Sequence, residues 1–465
     1  MTIVNTTIAS STADRYLDAL ERAGVDVDEL TSDVRRSQLL AVGYRDRFLP
    51  TPVFLTAAER TQLARDLLCV HELLVSLPDR LFEGSRIRLA RAVGMTEAQA
   101  RLVDSAPRDR LAPLARADLY RTHDGFKLLE LNITSALGGF ENAVINRTML
   151  AHPALKDFVT SERLAYADTF AAITAMVRSE CSEHLDGERP VIALVDWPES
   201  FRTYEPRLRI WAHMFAAHGF EALPCHVGQL SRHDGHLWLG ERPVQVVLRF
   251  FLAEEVVSDD DFALVEPLIE SIEAREVGLV SRLDTELYGN KGALALLSDD
   301  RHRDLFTADE QACIDRILPW TRSVSKRSSG PHHEPIDLVQ YALDNQHELI
   351  LKPTLLHGGS GIIAGWTVGK AEWSEAVIGA LDGPYVLQER VRALAEAMPS
   401  RDGREHVFAN WGVFIADPAV IGGDGYAGCI VRGAPDPEVG VVSMGSGARV
   451  GCCFHRTIAA EGTLA

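Results

Sequence analysis

The chain has 465 residues, 46% hydrophobic and 24% charged, with 47 basic against 66 acidic side chains and a net charge of −19. That balance argues against broad nucleic-acid binding and against an anionic membrane surface, while leaving room for a local basic pocket. No apolar run approaches the length needed to span a bilayer, and the N-terminal "MTIVNTTIASSTADRYLDAL" lacks the basic-then-apolar order of a secretory signal. Seven scattered cysteines form no CxxC pair, so the expectation is reduced thiols in a cytoplasmic protein.

In chain order, four segments are expected. Residues 1–110 read as a helical N-terminal region, in which "TAAERTQLARDLLCVHELLVSL" carries apolar residues at helical spacing behind a cap at Thr56. Residues 111–185 open with "LARADLYRTHDGFKLLELNI", two strands joined at His123-Asp124-Gly125, followed by helices. Residues 186–285 hold "RPVIALVDW", the helix "EPRLRIWAHMFAAHG" and the strand "FEALPCHV", a βαβ-like unit of a parallel sheet. Residues 286–465 alternate helices with the strands "HELILKPTLL", "GIIAGWTV", "YVLQERV", "VFANWGVFIA", "AGCIVRGA" and "GVVSMGSGA". The polar stretch 323–337 is expected to be a mobile loop, and the segment between Lys291 and Lys352 to supply helices of a lid.

Five patterns carry candidate chemistry. In the 114–133 hairpin, Arg116 and Asp118 lie two apart on one strand and Glu130 and Asn132 two apart on the next, so each pair shares a face. Asp118, Glu130 and Asn132 could converge as oxygen ligands for magnesium, with Arg116 gripping a phosphate; an exposed Arg–Asp hairpin pair would give the same pattern. In "ILKPTLLHGGSGI", Lys352 ends a strand before a loop with Gly358, Gly359 and Gly361, suited to phosphates but equally to a flexible turn. At the strand end "YVLQERV" backbone amide and carbonyl groups could read a base edge and Glu389 accept from a ribose hydroxyl, or it is an ordinary polar exit. Arg432 in "GCIVRGA" could neutralise charge developing in acyl or phosphoryl transfer, or lie exposed. Lys291 in "LYGNKGALALL" could hold an α-phosphate, or be solvated.

Taken together and in this order, the motifs resemble the synthetase domain of the glutathionylspermidine synthase family, a circularly permuted branch of the ATP-grasp ligases. The resemblance rests on "ARADLYRTHDGFKLLELN", "GNKGALALL", "LKPTLLHGGSGI", "YVLQERVRAL" and "AGCIVRG", within roughly residues 110–455. It implies an α/β ATP-grasp fold with permuted motif order, a βαβ lobe like the one that precedes the grasp domains, and ATP-binding lobes in 286–465. By that likeness Asp118, Glu130 and Asn132 are magnesium ligands, and Arg116 and Arg432 belong to the catalytic centre. Lys291, Lys352, the Gly358–Gly361 loop, Gln388 and Glu389 hold ATP, and Glu141 in "GGFENAV" falls where the family has a glutamate. "ITSALGG" after Asn132 departs from the family's Asp-Thr-Pro-Thr type of sequence at the acceptor site.

The implied activity is ATP- and Mg2+-dependent ligation of a small-molecule carboxylate to an amine through an acyl phosphate, releasing ADP and phosphate. Amino acids, peptides and polyamines are all open as substrates, with no nucleic-acid or membrane partner expected. A non-catalytic nucleotide-binding regulatory or scaffold protein and a small-molecule kinase are the alternatives.

Overall fold

Local chemistry marks the long N-terminal helix clearly. Thr56 and Glu59 form a reciprocal capping box, and the helix Ala57–Phe82 runs from it with one face buried. The computed structural model of the chain describes residues 11–133, 137–356 and 359–457. Among the described residues, no helix is long and apolar enough to cross a membrane.

The architecture is mixed α/β. An eight-stranded sheet runs in the order Val53–Leu55, Arg449–Arg456, Tyr426–Ala434, Gly403–Ala416, Leu114–Thr122 and Gly125–Asn132, with Ala395–Ser400 and Leu164–Ala165 attached beside it. The hairpin Leu114–Thr122/Gly125–Asn132 therefore hydrogen-bonds on its other side to a strand almost three hundred residues later in the chain. In register, Arg116 faces Asn132 and Asp118 faces Glu130, and a bulge follows between Asp118 and Leu119. Such a bulge adds a residue to one strand and re-aims the side chains beside it.

A second sheet is the parallel one that the sequence predicts. Val191–Asp196 pairs in parallel with Glu221–His226, and the crossover helix is Pro198–Ala217. Val246–Arg249 and Gly278–Val280 complete it. Every residue of Val191–Asp196 is buried, as a strand covered on both faces requires. A third sheet is antiparallel and contains Thr321–Ser323, Tyr385–Glu389, Leu349–Pro353 and Ile363–Ala364.

Phe140, Trp211, Phe250 and Phe414 form an aromatic cluster joining the large sheet to the parallel one, with ring centroids 4.9 to 6.5 Å apart. Such rings add packing energy beyond the area they bury. Two of them, Trp211 and Phe250, line the cavity described below.

Three local expectations are corrected. The stretch 323–337 is not an irregular loop: Arg327–Ser329 and Pro335–Asp337 pair as a small hairpin, held by Trp320 Nε1 and Arg322 Nε donating to the carbonyl of Ser329. "GVVSMGSGA" is a loop and the strand begins after it, at Arg449; Gly447 adopts φ +85°, a left-handed conformation foreign to strands. The helix Ala308–Ile317 packs against the N-terminal helix, where Arg80 pairs with Glu310 and Arg316 with Asp66, each at 2.6 Å.

Candidate active site

A cavity of about 520 Å3 opens where the three sheets meet. Its lining includes Arg116, Asp118, Glu130, Asn132, Lys352, Gly359, Gln388, Glu389 and Arg432. Residues from three separate stretches of the sequence thus reach one space. Lys291 and Gly361 are not among its lining residues, and Gly358 lies outside the described residues.

The large sheet brings the acids and guanidinium groups together. Asp118 Oδ1 accepts from Arg116 Nε at 3.0 Å, and its Oδ2 pairs with Arg432 Nη2 at 2.8 Å. Arg432 is placed by the register Asn410↔Arg432 and also donates to Asn410 Oδ1 at 2.9 Å. Burial opposes its charge, but Asp118 and Glu130 hold its pKa above the ordinary arginine value. Gly412 sits opposite both Asp118 and Ile430. A Cβ there would fall 2.9 Å from Ile430 Cγ2 and 3.3 Å from Arg116 Cδ, so the close approach demands glycine.

Lys291 links this sheet to the lysine strand. Asn290 caps the helix Lys291–Ser298, and the Lys291 N–H donates to Thr354 O. Its Nζ donates to Leu356 O at 2.8 Å and lies 3.4 Å from Glu130 Oε2. Lys352 and Gln388 are diagonal neighbours on adjacent antiparallel strands. Lys352 Nζ donates to Gln388 Oε1 at 2.6 Å and to Leu129 O at 3.4 Å, while Gln388 Nε2 donates to Thr321 Oγ1. Gln388 therefore positions the lysine. Burial lowers the Lys352 ammonium to about 8, Lys291 adds to the effect, and Glu130 and Asp118 resist it. Glu389 Oε1 accepts from the Trp320 N–H at 3.0 Å, which fixes that carboxylate at the strand end.

Among the described residues, no group of three or more His, Cys, Asp or Glu side chains suits a metal ion. The hairpin offers a different set, two carboxylates directly opposed in register and one amide. Asn132 Nδ2 donates to Arg116 O and Glu130 Oε1 at 3.3 and 3.4 Å, so Oδ1 is the atom it can offer a cation. Hard oxygen donors, few in number, with room for phosphate oxygens and water, fit magnesium.

Several lining residues were not singled out in the sequence. The helix Pro198–Ala217 presents Ser200, Tyr204, Arg207, Leu208 and Trp211 at the three- and four-residue spacing of one face. An amphipathic helix gives no reason to separate such an arginine from its solvated neighbours. The loop after Ala434 covers another side: Trp366 Nε1 donates to Glu438 O at 3.0 Å, and Arg390 pairs with Glu438 at 2.7 Å while lying over the Trp366 ring. Glu141 does not reach the cavity; it is buried and receives Arg207 Nη2 at 2.5 Å.

No family model and no curated protein matches the chain. Among solved structures, a glutathione synthetase-like effector from Globodera pallida superposes with a TM-score of 0.51 at 14% identity, covering 96% of this chain and 95% of its own. A D-alanyl-alanine synthetase A from Vibrio cholerae covers 50% of this chain and 69% of its own, with a TM-score of 0.27 at 12% identity. The first likeness extends over nearly the whole of both chains and is one of fold alone. The second superposition is too loose to bear on the fold.

Proposed function

We infer that the protein is an ATP-dependent carbon–nitrogen ligase that activates a carboxylate as its acyl phosphate and passes it to an amine. The observation that carries this reading is the meeting of the hairpin acids, Lys352 and Arg432 in one cavity, with Lys291 3.4 Å from Glu130. Lys291 and Lys352 grip the triphosphate, and the loop around Gly359 closes over it. Asp118, Glu130 and Asn132 would hold Mg2+, which neutralises charge on phosphate oxygens when bound.

The carboxylate oxygen attacks the γ-phosphorus and ADP leaves. The amine then attacks the acyl carbon, phosphate departs, and the surplus amine proton passes to solvent. Arg116 and Arg432 stabilise the acyl phosphate and the oxyanion of the tetrahedral intermediate. The fold shared with a glutathione synthetase-like protein supports the ligase class; the permuted motif order and the kinship with glutathionylspermidine synthase rest on the sequence motifs.

Turnover of ATP with Mg2+ against pools of carboxylic acids and amines, read by mass spectrometry, tests the reading. ADP, phosphate and a new amide are expected. A stable phosphoester would make the protein a kinase, AMP would indicate adenylation, and nucleotide binding without turnover in any pool would favour a regulatory module.

A further inference from the structure

Arg207 is held with unusual firmness for a residue lining an open cavity. Its Nη2 binds Glu141 at 2.5 Å and Tyr44 Oη at 3.0 Å. Its guanidinium carbon lies 5.3 Å from the centre of the Tyr44 ring and 5.5 Å from that of Trp211. Burial opposes the charge, but Glu141 and Tyr44 keep its pKa above the ordinary value. A guanidinium clamped this way has lost its rotamer freedom before any ligand arrives.

Two donors in this cluster are unspent. Arg207 Nε is buried without a hydrogen-bond partner, and so is Trp211 Nε1, on a side chain only 5% exposed that lines the cavity. Buried donors without partners are costly, by roughly 1–3 kcal/mol each, and call for an acceptor. Across Gly138 stands Arg116: a Cβ on that glycine would lie 4.0 Å from Nη1 of both arginines. Arg116 Nη1 in turn donates to Gly138 O at 2.9 Å.

Three guanidinium groups, Arg116, Arg207 and Arg432, gather here; Asp118 and Glu141 pair with them, and Glu130 acts on Arg432 as well. The same cavity is also lined by the apolar Leu208, Phe250 and Leu252 and by the acids Asp196, Glu254 and Glu255. Those acids would repel a second carboxylate on the ligand.

We propose that Arg207 and Trp211, with Arg116 facing them, form a carboxylate subsite for a monocarboxylic acid with an apolar body. That this carboxylate is the one activated for ligation rests on the ligase reading above; that it binds here does not. Arg207 sets specificity by charge and Trp211 by a single hydrogen bond.

The test uses 3-phenylpropionate and its neutral twin 3-phenylpropanamide, titrated into the full chain without nucleotide and followed by ligand-detected NMR. The acid is expected to bind about ten- to a hundredfold more tightly than the amide, the range for a charge-assisted hydrogen-bond pair. Trp211→Phe keeps an aromatic ring and the Arg207–Glu141 pair, and should weaken the acid about two- to tenfold. Arg207→Lys should weaken it further. Equal binding of acid and amide, binding of neither, or acid binding untouched by Trp211→Phe would overturn the subsite. Mg2+–ATP binding on the same preparation separates the two ideas. Acid binding without ATP binding sinks the ligase and spares the subsite; ATP binding without acid binding does the reverse.

Discussion

The two sheets that face each other across the cavity handle charge in opposite ways. On the large sheet, Asp118 is bracketed by Arg116 and Arg432, a carboxylate paired on both sides within the protein. On the antiparallel sheet of the lysine strand, Lys352 is buried against a neutral glutamine, and its ammonium is lowered to about 8. The difference teaches that one side pairs its charges within the protein, while the other keeps a cation weakened by burial that an incoming anion reinforces. A triphosphate meeting Lys352 restores the charge that burial has weakened; the acids and arginines need only exchange partners.

The most direct way to break this contrast is to remove a paired charge. Glu130→Ala should lower ATP turnover by about a thousandfold or more, measured by ADP release, while circular dichroism shows an intact fold. Undiminished turnover in the folded variant would refute its role. Next in size, Arg432→Ala should lower kcat by about a hundred- to a thousandfold with little change in KM for ATP, since it acts on charge that develops during reaction.

On the other sheet, Lys352→Met should weaken Mg2+–ATP binding about ten- to a hundredfold by calorimetry. The sign of its pH dependence follows from a lowered lysine pKa. Below about 8 the ammonium is charged and binding is strong; as pH rises through that value affinity falls, and binding takes up a proton. Lys352→Met should flatten that profile. A smaller effect is expected at the covering loop, where Glu438→Gln removes the partner of Arg390. Glu438 is well exposed, so nucleotide release should quicken only about two- to fivefold in stopped flow.

The smallest effect is one of stability. Burial raises Glu255 to about 7, beside Ser200, which donates a hydrogen bond to it. Its folded pKa exceeds the ordinary 4.5, so the native state binds the extra proton: the contribution is fully present below 4.5 and is lost as pH rises through about 7. Glu255→Gln should therefore raise Tm by about 1–2 °C at pH 8 and not at pH 4 in differential scanning calorimetry.

Much of the large-sheet side was legible in the sequence. Period-two spacing placed Arg116 with Asp118 and Glu130 with Asn132, and the His123-Asp124-Gly125 turn set the two pairs opposite each other, which the register bears out. The partner strand Gly403–Ala416 was readable as a strand but not as a neighbour of that hairpin, because nothing local encodes a pairing across some three hundred residues. The valine-rich loop after Ala434 has strand composition, yet its glycines, Gly447 at positive φ among them, deny it a ladder. Arg207 was invisible for another reason. Its meaning comes from Tyr44, Gly138 and Glu141, brought beside it by tertiary packing alone.

The measurement closest to the central claim is a calorimetric titration of the protein with a non-hydrolysable ATP analogue, with and without Mg2+, repeated on Lys352→Met and Glu130→Gln. Binding that needs Mg2+, weakens in Lys352→Met and loses its Mg2+ dependence in Glu130→Gln is the predicted result. An absence of binding, or binding indifferent to both substitutions, would contradict the assignment of this cavity to Mg2+–ATP.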